Sequence, residues 1–136
     1  MPGFPSPGPT VVPPGWESDG ELPLTGTTYT RDAGTGMATA AWEGAYGHRT
    51  PWGSARYEER LRWTVDDDHP AVASCHGESV TTVRQDDQGR DLVWRGILDI
   101  DSDDTTFHYR YRRELEVDGA LLREREWVED VPRDHH

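Results

Sequence analysis

Lysine is absent from this sequence, cysteine occurs once, and no long apolar run is present. All fourteen basic residues are arginine, they stand against 26 acidic residues, and the formal net charge is -12. Such acidity argues against partners that carry phosphate, because nucleic acids and anionic membranes are bound by clustered basic side chains. We therefore expect no nucleic-acid partner and no membrane partner.

The single cysteine, Cys75, excludes an internal disulfide and a cysteine-based metal cluster. No eighteen-residue apolar stretch predicts a membrane-spanning helix, and the first residues lack a basic segment followed by an apolar one. The histidines show no metal-ligand spacing, and the acidic runs at Asp66 and Asp99 do not match a calcium-binding loop. We expect a cytoplasmic protein with no metal and no other cofactor.

Catalytic motifs are also missing. No serine lies in a Gly-x-Ser-x-Gly turn, as the segments WGSAR, VASCH and GESVT show. Cys75 and His76 are adjacent, and neighbours on a strand point to opposite faces, so they cannot form a proton-sharing dyad. No catalytic residue is predicted. Whether the chain is an enzyme stays open, since Glu124 and Glu126 lie on one strand face as paired acid and base groups would.

Residues 1–23 contain seven of the ten prolines and no arginine, which favours an extended arm or linker. From residue 24 to residue 136 the hydrophobic period is two, with turn residues between the runs. At 136 residues, the chain is long enough for one domain with one core. Its six tryptophans and five tyrosines supply large apolar side chains.

The pattern predicts an all-β domain, a curved antiparallel meander of about seven strands that forms a sandwich or a flattened barrel. Turn residues at 32–34, 66–70, 86–89 and 118–119 make successive strands neighbours. The predicted strands are Thr25 to Arg31, Met37 to Ala45, Ser54 to Val65, Val72 to Gln85, Arg90 to Asp101, Thr105 to Val117 and Ala120 to Val131. A four-residue loop after Gln85 would set Cys75 opposite Ile100, which makes Cys75 a small core residue.

The last two predicted strands carry charges on both faces. The two-residue turn Asp118-Gly119 would pair Val117 with Ala120 and, further along the hairpin, Arg113 with Glu124. In that register Tyr109, Tyr111, Arg113, Glu124 and Glu126 share one face, the inner one. They form the candidate ligand-binding set, a polar floor for a small apolar or carboxylated ligand. The alternative is that these charges lie at a sheet rim or an interface and pair only to be satisfied.

The segment FHYRYRRELEVDGALLREREWVEDVPRD resembles the carboxyl-terminal end of the X-Pro dipeptidyl-peptidase and cocaine-esterase-like (CocE/NonD) serine hydrolases. The matching positions are Phe107, Leu115, Gly119, Arg125, Trp127, Val131, Pro132 and Arg133. The resemblance extends weakly back to Thr25. It implies a jelly-roll-like β-domain beside an α/β-hydrolase domain, and none of the motifs of the catalytic triad is present here.

Two functions follow as expectations. The first is a noncatalytic accessory or structural β-domain of the X-Pro dipeptidyl-peptidase-like type, with a hydrolase domain or a second copy of itself as partner. The second is a small-ligand-binding curved β-sheet or barrel. Trp127 followed by Val131-Pro132-Arg133 is the part of the resemblance that favours the first.

Overall fold

The computed structural model describes residues 14–21 and 26–134 of the chain, with side chains for 14–18 and 26–134. These residues form eight strands joined by turns: β1 (Glu17–Glu21), β2 (Gly26–Asp32), β3 (Met37–Thr50), β4 (Gly53–Asp66), β5 (Ala73–Gln85), β6 (Arg90–Ser102), β7 (Thr106–Val117) and β8 (Ala120–Pro132). The all-β prediction is confirmed, and the seven predicted strands are present within one residue of their predicted bounds, except that the strand from Met37 ends five residues later than predicted.

All eight strands belong to one antiparallel sheet in the order β1-β3-β4-β5-β6-β7-β8, with β2 also paired to β3. From β3 to β8, each strand therefore pairs with the next one along the chain, as the meander prediction requires. The sheet is open, because β8 forms one edge while β1 and β2 share the outer side of β3. This arrangement is consistent with one layer of a sandwich.

The predicted arm, residues 1–23, is described only in part. Residues 1–13 and 22–25 lie outside the described residues, as do His135 and His136. Within the arm, β1 pairs with the end of β3, where Glu17 is opposite Arg49 and Ser18 opposite His48. Hydropathy did not reveal this eighth strand, because Glu17–Glu21 is polar throughout and its partner is distant in sequence.

Two hairpins follow the turn chemistry of the sequence. Asp118 and Gly119 both have positive φ angles, 49° and 82°, as a two-residue turn of this type requires. The four-residue connection after Gln85 sets Cys75 opposite Ile100, which confirms the predicted register of β5 and β6. A third hairpin was missed. Strand β3 continues to Thr50 and turns at Pro51 and Trp52 directly into β4.

A β-bulge corrects the predicted pairing of the last hairpin. Glu116 is opposite Leu121, but Leu115 is opposite Arg123, so Leu122 is the extra residue. Beyond it every pair is displaced by one position, and Arg113 lies opposite Arg125 rather than Glu124. The predicted pairing of Arg113 with Glu124 is therefore wrong.

The physical reason for the bulge lies in the two faces of β8. The regular register would place Glu124 and Glu126 on the apolar face, away from Arg110 and Arg112 on the polar face of β7. The shifted register instead sets Trp127 opposite Tyr111, with ring centroids 5.4 Å apart and nearly parallel. On the other face it lets Glu126 pair with Arg110 and Asp130 with His108, and these contacts together offset the one residue that the bulge leaves unpaired.

Register and strand alternation divide the sheet into two faces. We call the side of Trp94 the apolar face. Its large side chains from β3 to β8 are Trp42, Tyr46, Tyr57, Leu61, Trp63, Val65, Val83, Leu92, Trp94, Leu98, Ile100, Phe107, Tyr109, Tyr111, Leu115, Val117, Trp127 and Val131. We call the side of His76 the polar face, and it carries most of the arginines and carboxylates of the strands.

The core of this fold is not enclosed. Among residues with described side chains, Ala55 is the only hydrophobic one that is buried, at 4% exposure, and no large side chain is fully buried. A single sheet cannot enclose side chains, because each face needs a second layer to cover it. The apolar face is thus the part of the molecule that its own described residues leave half-exposed.

Candidate functional site

The apolar face contains two aromatic clusters, one toward each end of the strands. At the end formed by the turns after β3 and β5, Tyr46 and Tyr57 stack with centroids 4.7 Å apart. His48 stacks on Tyr57 at 5.8 Å, and Trp16, just before β1, stacks on His48 at 4.7 Å. These flat contacts hold the rings against the sheet, while Tyr46 stays 53% exposed. This cluster offers an apolar surface to another molecule.

The second cluster is centred on Tyr111 and Trp127. The guanidinium of Arg125 lies 4.7 Å from the centre of the Trp127 ring, a cation-π contact that fixes both side chains. Beside Tyr111, the surface of the apolar face has a depression at Gly77 of β5 and Gly96 of β6. A methyl group at Gly96 would be 2.7 Å from Ser79 Oγ and 3.0 Å from the Tyr111 hydroxyl. The glycines therefore make room for a shallow groove.

Between the two clusters runs a polar row, formed by directly opposed residues of neighbouring strands. Its members on β4 to β7 are Glu59, Ser79, Gly96 and Arg113, and Arg125 continues it on β8. We call these five residues the central row. Among the described residues, neither Glu59 nor Arg113 has an ion-pair partner. The row thus sets an acid and a base without ion-pair partners on the apolar face, which also carries Arg123 and Glu129 at its β8 edge.

Sequence reasoning found only part of this row. Arg113 was in the candidate set, whereas Glu59, Ser79 and Gly96 were missed. Their signal was the register of the intervening hairpins: the connection at 67–72 sets Glu59 opposite Ser79, and the four-residue turn after Gln85 sets Ser79 opposite Gly96. The connection between β4 and β5 is six residues long, too long for a tight turn type to set the register of the two strands.

The predicted ligand-binding set is divided between the two faces. Tyr109, Tyr111 and Arg113 lie on the apolar face, while Glu124 and Glu126 lie on the polar face. There Glu126 accepts from Arg110 at 3.1 Å, and Glu124 lies 4.0 Å from the Nε of Arg112. The five residues do not line one surface, because the Leu122 bulge turns the glutamates to the other side.

The polar face is a ladder of exposed ion pairs. They join residues along one strand or across neighbouring strands, as in Arg60 with Glu43 at 3.4 Å and Arg84 with Asp91 at 2.8 Å. Exposed pairs of this kind contribute about 0–1 kcal/mol each, so they favour solubility and register more than stability. This face thus pairs most of its charges within the chain, although Arg62 and Asp101 form no ion pair with the described residues.

Two histidines on the polar face each bridge two carboxylates. When protonated, His76 donates from Nδ1 to Asp99 at 2.5 Å and from Nε2 to Glu78 at 3.3 Å. These hydrogen bonds raise the pKa of His76 above its ordinary value, with Asp99 as the larger cause. Hydrogen bonds to Asp130 and then Asp103 raise the pKa of His108 in the same way. Both histidines therefore hold a proton more firmly in the folded sheet.

The Val131-Pro132-Arg133 segment fastens the end of β8 to the neighbouring turns. Arg133 Nη1 donates to the carbonyl oxygens of Ala71 and Asp103, at 2.9 Å each, and its guanidinium lies 4.8 Å from the Phe107 ring centre. The Arg133 backbone N–H also donates to the Thr105 carbonyl at 2.8 Å. The residues that carry the family resemblance thus have a structural role at one corner of the sheet.

Cys75 lies half-buried on the apolar face between Trp63 and Ile100. Burial raises the pKa of its thiol, and the charge of Asp99 adds to the effect. The described residues contain no group of three His, Cys, Asp or Glu side chains that could hold a metal ion. Nor does this part of the chain contain a helix with the length and apolar character needed to cross a membrane.

Comparisons with protein-family models, with curated proteins and with solved structures find no match for this chain. The resemblance to the X-Pro dipeptidyl-peptidase and cocaine-esterase-like hydrolases accordingly stays a prediction. Any account of function therefore has to start from the uncovered apolar face itself.

Proposed function

We propose that this chain is a noncatalytic structural β-module whose apolar face is covered by another protein layer. The layer is a hydrolase domain of the kind that the family resemblance implies, or a second copy of the chain. The observation that carries the proposal is the apolar face, where Trp94, Leu98 and Tyr111 have no covering layer among the described residues.

The energetics favour coverage. Burying a large apolar side chain contributes about 1.5–3 kcal/mol, and the apolar face presents more than a dozen of them half-exposed. A soluble monomer rarely exposes a continuous apolar patch larger than a few hundred Å². A sheet that is apolar on one side and charged on the other is the ordinary architecture of one layer in a two-layer domain.

Adjacent residues on β6 give a matched test. Leu98 lies on the apolar face and Ile97 on the polar face, so Leu98→Glu and Ile97→Glu introduce the same charge on opposite sides of one strand. Sedimentation velocity would measure association of each variant with itself and with an added hydrolase domain of the X-Pro dipeptidyl-peptidase type. We expect the wild type and Ile97→Glu to associate and Leu98→Glu to remain a monomer, because a carboxylate is costly to bury.

Two results would count against the proposal. One is a wild-type chain that remains monomeric at every concentration and does not bind the hydrolase domain. The other is equal association of Leu98→Glu and Ile97→Glu, since coverage of the apolar face requires the two sides to differ. Far-UV circular dichroism serves as the control that each variant keeps its strand structure.

The groove beside Tyr111 supports the second candidate function, binding of a small apolar or carboxylated ligand. It is lined by Leu61, Leu98 and Tyr111 over Gly77 and Gly96, with a volume of about 190 Å³. Sites for drug-sized ligands hold about 300–1,000 Å³, so only a small molecule fits there. Titration with aromatic acids and short fatty acids should change tryptophan emission if this function is correct, and a flat response across the panel would eliminate it.

A further inference from the structure

We infer that the layer over the apolar face is a second copy of this chain, related by a twofold axis that runs parallel to the strands between β5 and β6. This inference rests on the proposed function and names the occupant of the covered face. It follows from the order of the strands, from the charges of the central row and from the sizes of the side chains on β5 and β6.

The strand order supplies the position of the axis. Strands β3 to β8 are the six long strands, and their midpoint lies between β5 and β6. A half-turn about an axis in the interface, parallel to the strands at this midpoint, places β5 over the partner's β6. The same rotation places β4 over the partner's β7 and β3 over its β8. Each residue then keeps its level along the strands.

Charge complementarity favours the strand-parallel axis over an in-plane twofold axis perpendicular to the strands. In the central row Glu59 lies on β4 and Arg113 on β7, so the strand-parallel axis brings each Glu59 over an Arg113 of the other copy. An in-plane axis perpendicular to the strands would instead stack Glu59 on Glu59 and Arg113 on Arg113. Like charges buried together cost several kcal/mol, so that dimer is disfavoured.

Within one chain, the arginines of the central row lack such compensation. Arg113 is directly opposite Arg125, and like charges in this position destabilise a pair of strands. Glu59 is three strand spacings away from Arg113, about 14 Å, too far for an ion pair. A second copy supplies the Glu59 carboxylate to each Arg113, while Arg125 keeps its contact with the Trp127 ring.

Side-chain size is complementary about the same axis. On the apolar face β5 carries small residues, among them Cys75, Gly77 and Thr81, while β6 carries Ile100, Leu98 and Trp94 at the same levels. Placing β5 over the partner's β6 sets Gly77 beneath Leu98 and Thr81 beneath Trp94. Alternating small and large side chains in this way lets the two layers interdigitate about 10 Å apart.

The face is large enough for a stable dimer. Six strands at about 4.8 Å spacing and twelve residues at about 3.3 Å rise cover roughly 1,100 Å² on each copy. A standard stable interface needs about 800 Å² per partner. Association through the β8 edge is less suited, because its charged side chains and its bulge at Leu122 oppose strand addition.

A charge swap tests the axis. Glu59→Arg and Arg113→Glu should each raise the dimer dissociation constant at least about 30-fold, since each leaves two like-charged pairs buried. The double variant should recover the wild-type constant to within about threefold. Arg62→Glu is the matched control, because it changes the charge equally on the polar face and should leave association unchanged. Sedimentation equilibrium measures all five proteins.

Cross-linking keeps the test independent of variant stability. In a Cys75→Ala background, Ser79→Cys places a thiol beside the axis, and Val80→Cys places one on the polar face. A short bismaleimide should link the first variant into a dimer and leave the second monomeric. Equal cross-linking of the two variants would overturn the proposed face.

The outcomes separate this inference from the proposed function. If the wild type is a monomer that still binds the hydrolase domain, and Leu98→Glu abolishes that binding, then the dimer proposed here is wrong and the proposed function as a covered structural module stands. A dimer that tolerates both single charge reversals overturns the axis. A monomer that binds no hydrolase domain overturns both.

Discussion

Gly53 provides the sharpest stability prediction, because its surroundings are backbone rather than side chain. Built onto Gly53, a Cβ atom would lie 1.7 Å from the Arg84 carbonyl oxygen and 3.2 Å from the Asp86 nitrogen. Its φ angle of 157° is also one that side-chain-bearing residues rarely adopt. In Gly53→Ala, the β3–β4 turn and the β5–β6 turn must therefore move apart.

The magnitude follows from three contributions. Backbone strain at such a φ costs about 1–3 kcal/mol, and overpacking against fixed atoms costs about 1–3 kcal/mol. Separating the turns also breaks the hydrogen bond from the Asp86 N–H to the Trp52 carbonyl, now 2.8 Å long and worth about 1 kcal/mol. We expect Gly53→Ala to lower the free energy of unfolding by about 3–7 kcal/mol, a large share of an ordinary domain's stability.

Urea denaturation followed by tryptophan emission measures this loss. Gly89→Ala is the matched control, because Gly89 has φ +60° and a Cβ there would meet nothing within 4 Å. Gly89→Ala should lower the free energy of unfolding only by the cost of holding an alanine at a positive φ angle, about 1–2 kcal/mol. All proteins are compared at one concentration, since dimerisation would add to apparent stability. If Gly53→Ala loses no more unfolding free energy than Gly89→Ala does, the close approach of the two turns is not a constraint on the fold.

The remaining predictions concern the polar face and the bulge. The folded sheet raises the pKa of His76 above the unfolded-state pKa near 6.5. The contribution of His76 to the free energy of unfolding is therefore fully present below the unfolded-state pKa and is lost as pH rises through the folded-state pKa. The stability difference between wild type and His76→Gln should therefore be larger at pH 5 than at pH 9 in urea titrations, and a pH-independent difference would contradict this. Deleting Leu122, which is 68% exposed and unpaired, should leave the rest of the β7–β8 pairing intact and cost less than about 1 kcal/mol. Loss of the Tyr111–Trp127 stacking signal in near-UV circular dichroism would show instead that the bulge sets the register.

Short-range patterns in the sequence were sufficient to predict the positions of most of the strands. The period-two alternation of Tyr57, Leu61 and Trp63 with charged residues predicts a half-buried strand, because strand side chains alternate between faces. The Asp118-Gly119 pair predicts its turn because both residues tolerate positive φ. The register of Cys75 with Ile100 follows once the length of one loop is known. Each of these inferences depends on residues close together in the chain.

The candidate site depended on information of a different kind. Whether Glu124 or Trp127 joins the apolar face is decided by the bulge at Leu122, which has no local signal. The central row exists only because three hairpin registers bring Glu59 and Arg113 to one level, although they are far apart in sequence.

By itself, then, the sequence determined the class of fold, the strands and their neighbours, since alternation and turn residues act over a few positions. Only the tertiary structure decided which residues share a face, that β1 pairs with β3, and that the sheet stays open with its apolar side uncovered. The physical reason is that a shift of one residue exchanges the two faces of a strand, and the free energy that selects the shift comes from side chains on other strands.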